Sequence, residues 1–490
     1  MFYLKRFLLS CGLILAASAA MAQTAITQTP MKDPGVFDKV TLTDGSSYVE
    51  LENNWIYSSI DGFKNYPTGL GTNTRSMAYA NGKVYIPEKR GDDLGKLYLH
   101  IFDAATGNYT KTVSLPDQIF KNAENAFVFG PLNTITTDSE GRLVFANLCT
   151  DFQAGPLQVW VMEDENDTNP VKVLDFTQPL GETLKMRVDF IEVYGNLKSG
   201  KAQILAGLSS TPYIAKFDIV DGAFNIDGGP DGDGFMYPDV ETNPTILSIE
   251  GKTVPKEVLQ LSTAPLIYPI SDTQFYLDGH TTYPTLYDWS GNMKDGFYDA
   301  AGDVLTTIAP AQNVNGFADV LLGSEIFLVS GKTAYNVATN PSSFVLYHQN
   351  EANISPNGAK IAYTNFPSTG LGASQNTSAI MLPRIHYVND LTAEIYIFAQ
   401  NNGFAKYTLK LNGGGSSVLE DQLEAVSVSV IGDEIVATES VASIDVYSVT
   451  GQKVASVKAT DRVAAPAAGI YVVTTVDNSG VVTSHKVLVK

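Results

Sequence analysis

From about residue 45 to 412 the chain is cut into short runs rich in Tyr, Val, Ile and Phe, separated by Gly, Asn and Asp turns. Helical periodicity of any length is hard to find there, and short alternating runs between turn signals are what strands require. One unit recurs: an apolar strand, a tight turn holding Gly, Asn or Asp, and a second apolar strand ending near a small residue. Its copies are SMAYANGKVYIPE (76–88), TITTDSEGRLVFAN (134–147), DFIEVYGNLKSGKAQILAG (189–207), LIYPISDTQFYLDG (266–279), FADVLLGSEIFLVSG (317–331) and RIHYVNDLTAEIYIFA (384–399). Between most copies lie one or two further strands, such as KLYLHIFDAATGNYTKTVSL (96–115) and PLQVWVMEDENDTNPVKVLDF (156–176). An inner hairpin followed by two outer strands, repeated at blade-like intervals, reads as a β-propeller. Six copies predict six blades. The ring closes if FAKYTLKL (404–411) supplies a third strand to the last blade and NWIYSSI (54–60) the fourth, which leaves no exposed edge. NISPNGAKIAYTNF (353–366) is the one segment able to seed a seventh.

The flanks differ from this body. Residues 1–22 have a positive start at Lys5 and Arg6, an apolar stretch, and Ala20-Met21-Ala22 before Gln23, the plan of a cleaved export signal. No segment has the 18 or so apolar residues that a spanning helix needs, so no transmembrane segment is expected. Residues 23–44 are polar and patternless, a leader; 413–424 open with GGGSS and form a flexible linker; 425–490 alternate very regularly and form a small all-β sandwich. That last module holds six acids and five bases, so nearly all of the net charge of −20 belongs to the rest of the chain. Such acidity argues against nucleic acid, whose binding is driven by Lys and Arg on phosphates. Signal removal leaves Cys149 as the sole cysteine, so the exported protein is held by packing rather than disulfides.

In the module, IDVYSVTGQKVASV precedes PAAGIYVV and a terminal KVLVK. This resembles the type A C-terminal sorting domain of the type IX secretion system of Bacteroidota. The carriers are Gly451 at a turn, Pro466, Gly469 and Tyr471 in a Pro-x-x-Gly-x-Tyr turn, and Lys486 to Lys490 in a basic-apolar final strand. The resemblance implies engagement of the outer-membrane secretion machinery and display at the surface, or a periplasmic protein where that machinery is absent. More loosely, GTNTRSMAYANGKVYIPEKR (71–90), LHIFDAATGNYTKTVSL (99–115) and GRLVFANL (141–148) resemble secreted Bacteroidota propellers of a domain of unknown function. That resemblance implies no catalytic residues.

Chemistry is sparse. The five histidines are scattered, with no H-x-H or H-E-x-x-H pair for zinc; His280, in LDGHTTYP, is the most loop-like. There is no G-x-S-x-G elbow and no sialidase-type aspartate box. Asp189 and Glu192 share an inner strand but at i and i+3 point to opposite faces. No cofactor is called for, and calcium is the one candidate ion: Asp227, Asp231, Asp233 and Asp239 offer hard oxygens on the Gly-rich loop NIDGGPDGDGFMYPD, with a solvated turn as the alternative. Arg75, Arg187 and Arg384 sit at or just before the starts of inner hairpins, with Asn133 in the equivalent place of another. Inner strands line the channel and their starts gather at one mouth, where guanidinium forks suit a carboxylate or sulfate; pairing with neighbouring acids is the alternative.

The functional expectation is therefore non-catalytic binding of a glycan or other anionic extracellular ligand at the channel mouth. It predicts an exposed aromatic beside the arginines. A glycan-active hydrolase or lyase would instead bring two carboxylates to within about 5–9.5 Å of each other. A scaffold for protein partners would show a wide apolar patch on one propeller face.

Overall fold

The computed structural model describes residues 26–42, 44–60, 65–67, 70, 74–89, 96–151, 155–177, 187–197, 201–211, 213–220, 223–224, 245–248, 264–271, 273–279, 282–297, 316–331, 342–349, 360–372, 380–413, 428–431, 434–448, 452–476 and 482–489. Every regular element among them is a strand.

β1 (Val40–Thr41) and β2 (Tyr48–Ser58) come first in the chain. Five antiparallel sheets follow in order. Sheet one is β3 (Ala78–Ala80), β4 (Lys83–Lys89), β5 (Leu97–Asp103) and β6 (Tyr109–Ser114). Sheet two is β7 (Thr134–Thr137), β8 (Leu143–Ala146), β9 (Leu157–Met162) and β10 (Val171–Phe176). Sheet three is β11 (Arg187–Asn196), β12 (Lys201–Ser209) and β13 (Tyr213–Val220), with β14 (Ala223–Phe224) and β15 (Thr245–Ser248) both paired to β13. Sheet four is β16 (Leu266–Pro269), β17 (Gln274–Gly279), β18 (Thr282–Asp288) and β19 (Met293–Gly296). Sheet five is β20 (Phe317–Leu322), β21 (Glu325–Gly331), β22 (Phe344–Gln349) and β23 (Lys360–Phe366). Thus residues 360–366 complete the fifth sheet rather than open a seventh.

Sheet six joins the two ends of this body: β24 (Met381–Asn389), β25 (Thr392–Ala399) and β26 (Gly403–Asn412) continue into β2 and β1. The β2–β26 ladder runs from Tyr48↔Asn412 to Ser58↔Gly403. First strands of successive sheets are neighbours, β3 with β7, then β11, β16, β20 and β24, and β24 returns to β3. This is the arrangement of a β-propeller.

Local sequence explains the hairpins. The β3–β4 turn is Asn81-Gly82, both at positive φ (50° and 73°), the two-residue turn whose twist matches the strands it joins. Between sheets, apolar faces interlock. Val320, Leu322 and Val329 of sheet five pack on Ile395, Ile397 and Leu409 of sheet six, all fully buried.

The segment expected as a leader contributes here. Met31 pairs with Ile56 on β2. The buried Asp33 carboxylate accepts the Tyr407 hydroxyl at 2.6 Å and the Ser368 amide at 2.8 Å.

One seam is unusually tight. A Cβ on Gly316, at the start of β20, would lie 1.7 Å from the Met381 carbonyl oxygen at the start of β24. Because the obstacle is backbone, Gly316→Ala must part the two strands, and overpacking of this kind costs about 1–3 kcal/mol. A urea midpoint indistinguishable from wild type would show that the seam yields freely.

After sheet six, β27 (Val428–Ile431), β28 (Glu434–Ser448), β29 (Lys453–Ala464), β30 (Gly469–Val476) and β31 (Val482–Val489) form a separate sheet system. Its own core includes Ile435, Ile444, Val446 and Val473. Tyr471 closes the turn after Pro466 by donating its hydroxyl to the Ala467 carbonyl at 2.8 Å, packed beside Gly469. Lys486 lies on β31, while Gly451 and Lys490 lie outside the described residues.

Candidate functional site

Inner strands of sheets five and six run the same way, which fixes the two ends of the channel. Their starts meet at Gly316 and Met381, and the turns that end them meet where the Gly323 amide donates to the Asp390 carbonyl at 2.6 Å. Start-end residues therefore define one mouth.

Arg187, the first residue of β11, forks onto Asp189 with Nε–Oδ2 2.8 Å and Nη2–Oδ1 2.6 Å. Asp189 is wholly buried, and its Oδ2 also accepts the Ser209 hydroxyl at 2.8 Å. The bond to Asp189 raises the Arg187 pKa further, so the guanidinium stays charged. Its side chain is nevertheless 36% exposed, and Nη1 makes no hydrogen bond among the described residues. Asn133 donates its Nδ2 to the Asp189 carbonyl. Arg75 lies over the Phe190 ring at 5.9 Å, close enough to feel both Asp189 and Arg187, while burial depresses its pKa. Three of the four residues picked out by position thus gather around Asp189.

Arg384 lies deeper. Its Nη1 meets Glu192 Oε2 at 2.6 Å, its Nε donates to the Met77 carbonyl at 3.2 Å, and Glu192 Oε1 accepts the Thr136 hydroxyl. One ion pair therefore ties strands of sheets two, three and six to the segment before β3. Asp189 and Glu192 belong to separate ion pairs, each with its own arginine.

Beside the pair is a cavity lined by Glu192, Tyr268, Tyr276, Asp278, Phe317 and Arg384, with room for on the order of one water molecule. Asp278 is 3% exposed and accepts the amides of Gly279 (2.7 Å) and Gly316 (3.0 Å). Burial outweighs those bonds and pushes its carboxyl up to about 8.

Sequence reasoning missed Phe129, which is 65% exposed. Its carbonyl accepts Asn147 Nδ2 at 3.2 Å, the Gly130 carbonyl accepts the Leu148 amide at 2.8 Å, and Cys149 bridges Val188 in both directions. That chain of bonds ties the segment carrying Phe129, through residues 147–149, to the start of β11 where Arg187 sits. The available signal was an apolar Phe-Val-Phe-Gly run just before Asn133. The Cys149 thiol itself is buried, and burial pushes it up to about 12, which removes it as a nucleophile.

Asp227, Asp231, Asp233, Asp239 and His280 lie outside the described residues. Among the described residues no group of three or more His, Cys, Asp or Glu is placed to hold a metal ion, and no helix is long and apolar enough to cross a membrane.

No family model and no curated protein matches the sequence. Among solved structures, the chain is similar to a DUF4623 family protein from Bacteroides eggerthii at 13% identity and TM-score 0.49, covering 78% of this chain and 87% of that one. It is also similar to the α-L-arabinofuranosidase arb93a from Fusarium graminearum, solved with an iminosugar inhibitor, at 7% identity and TM-score 0.40 over 69% and 93%. A third is BamB from Moraxella catarrhalis, at 9% identity and TM-score 0.30 over 78% and 97%. At these identities and scores the likenesses carry nothing about activity.

Proposed function

We propose that this chain is an exported, closed six-bladed propeller that binds a glycan bearing carboxylate or sulfate groups at the start mouth and performs no chemistry on it. The C-terminal module is the sorting device implied by its Pro466, Gly469 and Tyr471 turn. The observation that carries the reading is a rigidly held, one-third exposed Arg187 at a strand start that backbone bonds tie to the segment carrying the exposed Phe129 ring. A buried carboxylate behind Arg187 fixes the guanidinium plane, so its free edge meets an anion at little entropic cost. The exposed Phe129 ring suits the apolar face of a sugar ring. The central cavity, where Glu192 and Asp278 converge, is too small for a sugar, and this favours binding over hydrolysis.

The test is a thermal-shift screen of residues 23–490 with uronic acids, sulfated sugars and calcium. A ligand at a hundredfold excess over its Kd stabilises by about 2.7 kcal/mol, so modest binders register. Arg187→Lys is expected to weaken the hit about tenfold or more, the worth of a charge-assisted hydrogen bond, and Phe129→Ala by about twofold to tenfold, the worth of a lost ring contact. Phe129→Ala removes an exposed side chain, so its folding is secure. No shift from any anionic sugar, or a shift that both variants retain, would sink the reading.

A further inference from the structure

Among the described residues, nine other than glycine adopt positive φ, and four of them are asparagines, which tolerate that region. Three of the other five, Leu132 (55°), Ser210 (62°) and Ala264 (53°), stand at the start end of the channel. Leu132 lies just before β7, Ser210 just after β12 and Ala264 just before β16, so they flank sheets two, three and four. A residue with a Cβ keeps this conformation only where its surroundings over-determine it, and such strain gathers at functional sites.

The surroundings of all three converge on one residue, Asp189. Asn133, next to Leu132, donates its Nδ2 to the Asp189 carbonyl. Ser209, next to Ser210, donates its hydroxyl to Asp189 Oδ2 at 2.8 Å. The Ala264 amide donates to that same Ser209 oxygen at 3.1 Å, so the hydroxyl proton is left for Asp189. Pro265, the next residue, packs on Gly207 so closely that an added Cβ would lie 2.7 Å from its Cγ, which ties this segment to β12.

These bonds bear on Arg187 because a carboxylate turns readily about its last bond, whose preferences are broad and two-fold. The Arg187 fork takes the plane of the Asp189 carboxylate, with Nε on Oδ2 and Nη2 on Oδ1. Ser209 lies opposite Arg187 in the β11–β12 ladder and holds Oδ2 from the other side, which removes that rotation. The Nη1–Nη2 edge is then left to face the mouth, and it suits one carboxylate or sulfate at a time. We infer that the Ala264–Ser209–Asp189 relay positions the Arg187 guanidinium for such an anion, and that the strained backbone at Leu132, Ser210 and Ala264 is the cost of holding it. Ser209 is thus a positioning residue that does not itself touch the ligand. The inference rests on the start-mouth reading and adds to it the residues that set the guanidinium's aim.

The test uses residues 23–490 and begins with a readout that needs no ligand. The Arg187 Nε proton is identified in nitrogen–proton spectra by its absence from Arg187→Lys. It is expected to exchange with water slowly in wild type and at least tenfold faster in Ser209→Ala; unchanged exchange overturns the inference. The second readout is calorimetric binding of trigalacturonate as the probe. Ser209→Ala is expected to weaken it about fivefold or more, although Ser209 is buried. Ser210→Gly meets positive φ without a Cβ, so it is expected to melt no lower than wild type yet to bind at least twofold more weakly. Should Ser209→Ala fail to fold, Ser210→Gly carries both readouts, since Ser210 is exposed and its loss leaves no cavity. Equal affinities across wild type and both variants overturn the relay. No binding by wild type sinks the ligand reading instead, and the relay is then decided by proton exchange alone.

Discussion

Arg384→Ala is expected to remove about 3–5 kcal/mol of stability, the usual result of stranding a buried charge. The pair it breaks is almost dry, with side-chain exposures of 13% for Arg384 and 9% for Glu192. In wild type the Glu192 carboxylate has two partners, the guanidinium and the Thr136 hydroxyl. Alanine leaves it the hydroxyl alone and also frees the Met77 carbonyl. Since these groups belong to different sheets, the loss falls on how the sheets meet in the channel rather than on any one ladder. The double variant Arg384→Met, Glu192→Leu removes both charges and is expected to recover most of the loss, because apolar replacement of a whole buried pair is often neutral. Denaturant unfolding of the two variants checks this. A loss under about 1 kcal/mol for Arg384→Ala would mean that the channel is wet enough to solvate a lone Glu192.

The architecture was largely legible because its signal is local. Hairpins read at 134–147, 266–279 and 317–331 coincide with β7–β8, β16–β17 and β20–β21 to within a residue. Alternation and turn chemistry act over a few positions, so a single sequence displays them. Strand pairing between the chain's ends was legible too, since β26 lacked a fourth partner and β2 had no sheet of its own. The site was legible only in part. That Arg75, Asn133 and Arg187 come together around Asp189 follows from position alone, because inner-strand starts share a mouth. Their surroundings do not. That Arg187 would take Asp189 while Arg384 reached Glu192 depends on how sheets rotate against each other, which no local pattern encodes. Asp278 read simply as part of an apolar strand, and its isolation arises only when β20 closes over it. Asp33 read as leader for the same reason: its partners, Ser368 and Tyr407, lie more than 330 positions away.

Asp278→Asn is expected to be more stable than the wild type by a margin that grows from mildly acidic to mildly alkaline solution. The folded-state carboxyl sits at about 8, against an unfolded reference near 3.8. Between those values the folded state holds a proton that the unfolded state has released, so the protein loses stability as pH rises through that window. The span corresponds to a penalty on the order of 5 kcal/mol, complete by about pH 8, because each tenfold difference in proton affinity between the two states is worth about 1.4 kcal/mol. Asparagine carries no such penalty. It does forfeit one bond, since its single amide oxygen can serve only one of the Gly279 and Gly316 amides that the two carboxyl oxygens now accept. Because the penalty grows by about 1.4 kcal/mol per pH unit above 3.8, the wild type should match or exceed the variant only below about pH 4.5, the bond being worth about 1 kcal/mol. Above pH 8 the variant should be the more stable by a few kcal/mol. Unfolding curves for both proteins at half-unit steps from about pH 3.5 to 9 measure the difference directly. Parallel curves would show that Asp278 ionises normally, with water reaching the cavity. A gap in the variant's favour that widens steadily from about pH 4.5 to 8 would establish that the channel centre stores its carboxyl in the neutral form.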